Sequence, residues 1–375
     1  MGRVTRYGAP LSSAGPRSKQ AIPSPSHWLV MGPSPSRGAG EGLSIAPERQ
    51  RTYVLLVEGA GRRAMTEGVQ IREVGMRDGL QSIAEIMPTE TKLAWLDAEY
   101  AAGVREIEVS SFVPPKLLPQ LADAEAVVQH ALTLPGLTVS ALIPNLRGAE
   151  RGLALGVHEM NFVLSVSEGH NLSNVRRTTD ESIADFRRVV ELCREKGGTN
   201  RPRINCGLAT SFGCTIEGDV DEDRVRRIAN DVVAAGADGI ILADTVGYGN
   251  PAAIGRIFRR VIADVAPIPV AAHFHDTRGL GLANVLAAFA AGCKAFDASL
   301  GGLGGCPYAP GATGNIVLED TVFMFESMGL ETGIDLDSLA EARDVVARAL
   351  PEVTLYGAIA KAGLPRNFHP VANAA

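Results

Sequence analysis

Gly239-Ile240-Ile241-Leu242-Ala243-Asp244-Thr245-Val246 follows an amphipathic stretch, residues 221–235, that ends just before Gly236. A short unbroken apolar run bounded by polar residues reads as a strand buried on both faces. The stretch before it, with its apolar positions at helical spacing, reads as a helix laid against that strand. The same unit recurs along most of the chain. Further strand candidates lie at 69–76, 106–112, 137–144, 160–166, 204–212, 269–275 and 295–300, eight in all, and helical stretches at 90–102, 180–196 and 281–291 fall between them. Strands that alternate with helices build a parallel sheet, because each crossover returns the chain to the same end. Eight such units close naturally into a barrel of roughly 250 residues. The predicted fold class is therefore α/β, a (β/α)8 TIM barrel, with additional C-terminal helices at 318–329 and 336–350. A doubly wound open sheet is the alternative, but no GxGxxG fingerprint follows the first strand.

Residues 1–66 are rich in Ser, Pro, Gly and Arg and show no hydrophobic period, so they cannot bury enough apolar surface to fold. They read as a disordered or non-native N-terminal extension, with Met65 just ahead of the first strand, and residues 67–375 read as one barrel domain. A transit segment, which would direct the chain to the mitochondrial matrix, is the other reading, but the amphipathic helix pattern such segments carry is missing. Hydrophobic residues make up 46% of the chain and aromatic residues 5%, which suits a largely aliphatic core. The formal net charge is −6, with Lys and Arg scattered along helical stretches, so nucleic acid is not an expected partner. No apolar run reaches the ~18 residues of a membrane span. The five cysteines, Cys193, Cys206, Cys214, Cys293 and Cys306, form no CxxC pair, which fits a reducing, cytoplasmic setting.

In a barrel of this kind chemistry sits at the carboxyl ends of the strands. There the sequence places Arg77-Asp78-Gly79-Leu80-Gln81 after the first strand, Glu108 in the second, Asp244-Thr245 after the sixth and His273-Phe274-His275-Asp276-Thr277 at the seventh. His273 and His275 are two apart on a strand, so both side chains leave the same face and can hold one cation. Strands one and seven share parity, which brings Asp78 toward the two imidazoles across the barrel mouth. A mixed oxygen and nitrogen donor set suits an octahedral divalent cation such as Mg²⁺ or Mn²⁺ better than a closed zinc site. After the eighth strand comes Gly301-Gly302-Leu303-Gly304-Gly305-Cys306, a glycine-rich loop whose thiol is a candidate proton carrier.

These motifs, together with Ser110-Ser111-Phe112-Val113, Pro144-Asn145-Leu146 and Leu282-Ala283-Asn284, resemble those of the 3-hydroxy-3-methylglutaryl-CoA lyase family of metal-dependent TIM-barrel lyases, over about 69–330. The resemblance implies a cation held by Asp78, His273, His275 and Asn315. It implies Glu108 nearby, Arg77 facing the thioester oxygen and Cys306 as acid–base residue. Arg77, Glu108, Asp244 and Cys306 are the expected catalytic residues, and Gln81, Asn145 and Thr245 the expected substrate contacts. The implied reaction is cleavage of an acyl-CoA, 3-hydroxy-3-methylglutaryl-CoA, to acetoacetate and acetyl-CoA, by a homodimer or higher homo-oligomer. The chain departs from the family at Met76, Ser82-Ile83, Ser173 and above all along Asn205-Cys206-Gly207-Leu208-Ala209-Thr210 and at Thr215. Citramalyl-CoA, or a longer branched 3-hydroxyglutaryl-CoA, is therefore an alternative substrate. A condensing synthase and a catalytically silent metal-binding barrel are the more distant readings.

Overall fold

The computed structural model describes residues 68–304 and 314–371; the expected N-terminal extension, 1–66, and Cys306 lie outside the described residues. Eight strands run β1 (Gln70–Glu73), β2 (Glu106–Ser111), β3 (Thr138–Ile143), β4 (Glu159–Ser165), β5 (Arg203–Ala209), β6 (Gly239–Asp244), β7 (Val270–Phe274) and β8 (Ala295–Ala298). They pair in sequence order into a closed barrel. The closing pair, β1 with β8, is parallel and registers Gln70 with Ala295 through Glu73 with Ala298. The expected (β/α)8 barrel is the observed fold.

Helices cover the barrel because each carries an apolar stripe that the outer faces of the strands can bury. Thr89–Ala101 turns Trp95 and Leu96 inward, and Pro251–Val265 turns in Ile254, Ile257 and Phe258. Phe258 meets Phe274 of β7 edge to face, with ring centroids 5.8 Å apart. Beyond the barrel lie Leu318–Ser327 and Leu336–Ala349, as expected, and a short helix, Ala358–Ala362, that the sequence pattern did not reveal. No helix among the described residues is long and apolar enough to cross a membrane.

The inside of the barrel is not aliphatic. Arg72, Glu106, Glu108, Glu159, Asn161, Asn205, His273 and Asp297 are all buried. Asn161 on β4 donates to Glu108 on β2 at 2.9 Å; those strands are not neighbours, so the bond crosses the interior. Asn205 extends the chain of polar contacts, donating to Asn161 at 3.1 Å and to Glu159 at 2.8 Å. Buried polar groups are tolerated at this density only when each finds a partner.

The first strand ends three residues earlier than its β-like composition predicts. The Glu73 carboxylate accepts the amide of Gly75, which pulls the chain into a turn of π-helix, Gly75–Gly79. The amides of Arg77 and Asp78 both point at the Val74 carbonyl, at 3.1 and 2.7 Å. A side chain at Gly75 would collide with the Glu73 carboxylate and the Ser299 hydroxyl, which crowd the start of the turn. Such π-turns recur at functional sites.

Candidate active site

Asp78 sits in that turn and is buried, with its two oxygens differently engaged. Oδ1 accepts from Gln81 Nε2 at 3.0 Å and from Arg77 Nη1 at 2.5 Å. Oδ2 accepts from Asn315 Nδ2 at 2.8 Å and stands 3.7 Å from His275 Nε2 and 3.9 Å from His273 Nε2. One ligand atom from each of Asp78, His273 and His275 lies within 4.8 Å of the others, as one cation would require.

Local backbone pairing brings Asn315 to this point. Beyond β7 the chain forms a bridge between His275 and Asn315, flanked by Asp276 N to Gly314 O at 3.0 Å and Ile316 N to Phe274 O at 3.1 Å. The returning segment therefore lies against the end of the HxH strand. Asn315 Nδ2 also reaches the Leu303 carbonyl at 3.2 Å, while its Oδ1 is buried without a hydrogen-bond partner among the described residues. A buried amide oxygen left unsatisfied beside a carboxylate and two imidazoles is an unpaired acceptor that a cation would satisfy. The residues present thus fit a divalent cation held by oxygen and nitrogen donors.

The electrostatics agree. Burial alone would raise the Asp78 carboxyl, but Arg77, His273 and His275 outweigh it and hold it well below the usual carboxylate range. Burial lowers His275 to about 4, so its ring is neutral and able to donate a lone pair. His273 is also opposed by burial, but Asp297 and Asp78 raise it. The two Nε2 atoms face each other at 3.2 Å, and at most one of them can carry a proton.

Arg77 is fixed on two sides. Its Nε donates to Glu108 Oε2 at 2.5 Å and its Nη1 to Asp78, so the plane of the guanidinium is set by β2 and by its own turn. Burial works against its charge, but Glu108 and Asp78 prevail and keep it cationic. Glu108 is thereby placed next to the cluster, held in turn by Asn161.

The remaining expected residues fall around this centre. Asp244, at the end of β6, is buried and accepts the amides of Tyr248 at 2.9 Å and Gly249 at 3.0 Å, which folds the loop after its strand. Burial raises it to about 6. It registers with Phe274, whereas Ala243 registers with His273, and it is not one of the three residues that could share an ion. Thr245 Oγ1 accepts the amide of Thr210, tying the ends of β5 and β6 together at 2.9 Å. Thr210 holds a positive φ of 59°, unusual for a β-branched residue. Asn145 caps the helix Leu146–Leu155 by accepting the Gly148 amide at 3.1 Å. Cys193, Cys206, Cys214 and Cys293 are buried free thiols, as their apolar surroundings suggest.

Sequence reasoning missed Asp297 and Arg72. Asp297 Oδ2 lies 3.1 Å from His273 Nδ1, and Arg72 Nε donates to Asp297 Oδ1 at 2.6 Å. The available signal was a charged residue inside each of two strands, Gln70-Ile71-Arg72-Glu73 and Ala295-Phe296-Asp297-Ala298, that otherwise belong to a closed core.

A closed parallel barrel with a buried carboxylate and two imidazoles at the carboxyl ends of its strands is a barrel enzyme's architecture with a candidate cation site where such barrels carry their chemistry. The chain belongs to the HMGL-like family, whose model matches residues 68–346. It is 38% identical over 307 residues to the (R)-citramalyl-CoA lyase of Chloroflexus aurantiacus, covering 79% of this chain and 95% of that one. It is 40% identical over 274 residues to a hydroxymethylglutaryl-CoA lyase of Bacillus subtilis, covering 73% and 90%. Among solved structures it is similar to an HMG-CoA lyase from Acinetobacter baumannii in complex with coenzyme A and 3-methylmalate. The TM-score is 0.75 at 41% identity, with 80% of this chain and 97% of that one covered. The expected class, a carbon–carbon lyase, is supported by family, fold and relatives together.

Proposed function

We propose that the protein is a divalent-cation-dependent lyase that cleaves 3-hydroxy-3-methylglutaryl-CoA to acetoacetate and acetyl-CoA. The observation that carries this is the convergence of Asp78, His273 and His275 next to a guanidinium locked by Glu108. Asp78, both histidines and Asn315 would hold the ion, Mg²⁺ or Mn²⁺ by the chemistry of the donor set. When bound, such an ion supplies Lewis acidity that makes a substrate hydroxyl easier to deprotonate.

Cleavage moves one proton from the tertiary hydroxyl to C2: the hydroxyl gives it up to the Cys306 thiolate as base, the C3–O electrons form the ketone while the bond between C2 and C3 breaks, and that bond's electron pair passes to the thioester as an enolate. Arg77 offsets the charge that grows on the thioester oxygen, an interaction stronger in the transition state than in the ground state. Its two carboxylate partners hold it oriented, so no reorganisation is needed as that charge appears. Delivery of a proton to C2, which completes acetyl-CoA, is assigned to Cys306. Four buried cysteines without a disulfide among the described residues suit a reducing compartment such as the cytoplasm.

A second reading has a specific basis. The citramalyl-CoA lyase relative, at 38% identity, is as similar as the hydroxymethylglutaryl-CoA lyases, at 36–40%, which supports citramalyl-CoA as the alternative substrate. Purified protein incubated with each thioester and Mg²⁺ or Mn²⁺, with and without chelator, decides between them. Acetoacetate from the first substrate with chelator-sensitive turnover is the expected result; pyruvate from citramalyl-CoA at a higher kcat/KM replaces the substrate assignment, and chelator-insensitive turnover removes the cation.

A further inference from the structure

His273 lies on β7 and His275 one residue past its end, on the same face, yet what stands behind their rings differs. His275 Nδ1 is buried with no hydrogen-bond partner among the described residues. His273 Nδ1 is met by Asp297, which is met by Arg72, and all three are buried.

This row follows from the closure of the barrel. Arg72 on β1 registers with Asp297 on β8, and Asp297 registers with His273 on β7, so three successive strands place guanidinium, carboxylate and imidazole at one level. Registered residues on neighbouring strands leave the same face and lie close enough to bond. Arg72 also approaches Glu106 on β2 at 3.6 Å, which extends the row beyond the seam. Burial presses on the Asp297 carboxyl, but Arg72 and His273 keep it below the usual carboxylate range.

We propose that Asp297 is a positioning residue for the cation site, accepting the Nδ1 proton of His273 so that Nε2 presents its lone pair beside Asp78, with Arg72 holding the carboxylate in place. The inference rests on reading Asp78, His273 and His275 as ligands of one cation. A carboxylate behind a ligating imidazole fixes which nitrogen carries the proton, fixes the ring's orientation and increases its donor strength. A plain buried ion pair between Arg72 and Asp297 would serve stability alone and leave the tautomer of His273 untouched. The asymmetry assigns the two rings different duties: His273 is the preset donor, whereas His275, placed by its backbone bridge to Asn315, has no partner at Nδ1 among the described residues.

Two measurements on the full chain test this. In the metal-free protein, imidazole ¹⁵N spectra should show neutral His273 protonated at Nδ1 in the wild type and a tautomer mixture in Asp297→Asn. Titration with Mn²⁺ should give Asp297→Asn a Kd about 10- to 100-fold weaker than wild type. Circular dichroism confirms that the barrel has formed; should Asp297→Asn fail to fold, Arg72→Lys, which keeps the charge and loses the planar fork, carries both measurements with the same direction of effect. An unchanged tautomer and an unchanged Mn²⁺ affinity in a folded variant overturn the role of Asp297. A wild-type protein that binds no Mn²⁺ overturns instead the ligand reading, while its spectra still decide whether Asp297 governs His273.

Discussion

Asn315 Nδ2 donates to Asp78 Oδ2 at 2.8 Å, joining residues 237 positions apart in the chain. The bond spans the barrel's seam: Asp78 belongs to the turn after the first strand, and Asn315 to the segment that returns beside the seventh. It orients the carboxylate oxygen that faces both imidazoles and leaves the Asn315 Oδ1 in the same pocket without a partner among the described residues.

Asn315→Ala removes both the donor to Asp78 and the candidate amide ligand. We expect the Kd for Mn²⁺ to weaken by at least about 10-fold, with turnover falling in parallel at limiting metal. Calorimetric titration of the folded variant measures it; an unchanged Kd would exclude Asn315 from the site.

Arg77→Met would leave Glu108 and Asp78 buried without their shared cation. Breaking one partner out of a buried ion pair costs about 3–5 kcal/mol. Urea unfolding should show a loss of that order, and kcat at saturating metal should drop by about 10²–10³. A stable variant with normal turnover would mean that the guanidinium touches no reacting atom.

Glu73 and Glu99 give the pH dependence of stability a definite sign. Burial raises the Glu73 carboxyl to about 8 and the Glu99 carboxyl well above its usual range. Both titrate near ~4.3 in an unfolded chain. The folded protein therefore holds these protons more tightly, so the stability they provide is complete below about pH 4 and is lost as pH rises through their raised folded values, about 8 for Glu73. Glu99→Gln takes one of the groups out of this balance. Its stability relative to wild type should improve with rising pH, by up to about 1.4 kcal/mol per unit. Denaturant titrations at several pH values read the slope, and parallel curves for the two proteins would contradict the assignment.

Gly314→Ala should be severe for a residue that bears no chemistry. Gly314 has a φ of +88°, and a Cβ there would fall on the carbonyl oxygens of Gly302 and Gly304. The backbone must move, and it carries Asn315 with it. A stability loss of about 1–3 kcal/mol is expected, together with weakened Mn²⁺ binding. Thermal unfolding and metal titration measure the two effects separately.

The barrel was legible because apolar strand runs and amphipathic helices differ in period, and the errors fall at strand ends. The expected stretch 69–76 stops at Glu73, since a carboxylate that captures the next amide but one is invisible to periodicity. His273 and His275 were legible because a spacing of two is itself geometry, and Asp78 because strand parity carried it across the mouth. Asp297 and Arg72 were not, because their meaning depends on which strands become neighbours when the sheet closes. Asn145, expected as a substrate contact, also caps a helix through Gly148, a role that its spacing in the sequence does not reveal. The aliphatic composition described the layer between strands and helices well and gave no hint of the polar interior.

The donors of the site are dispersed along the chain, with Asp78 near its start and His273, His275 and Asn315 far toward its end. A ribosome delivers the first long before the others, so a nascent or truncated chain can hold no assembled centre. An ion that binds only the assembled centre stabilises that state by mass action, and it acts as a keystone set last. If the proposed site takes its ion only when assembled, metal loading would report that the chain has been completed and the barrel closed.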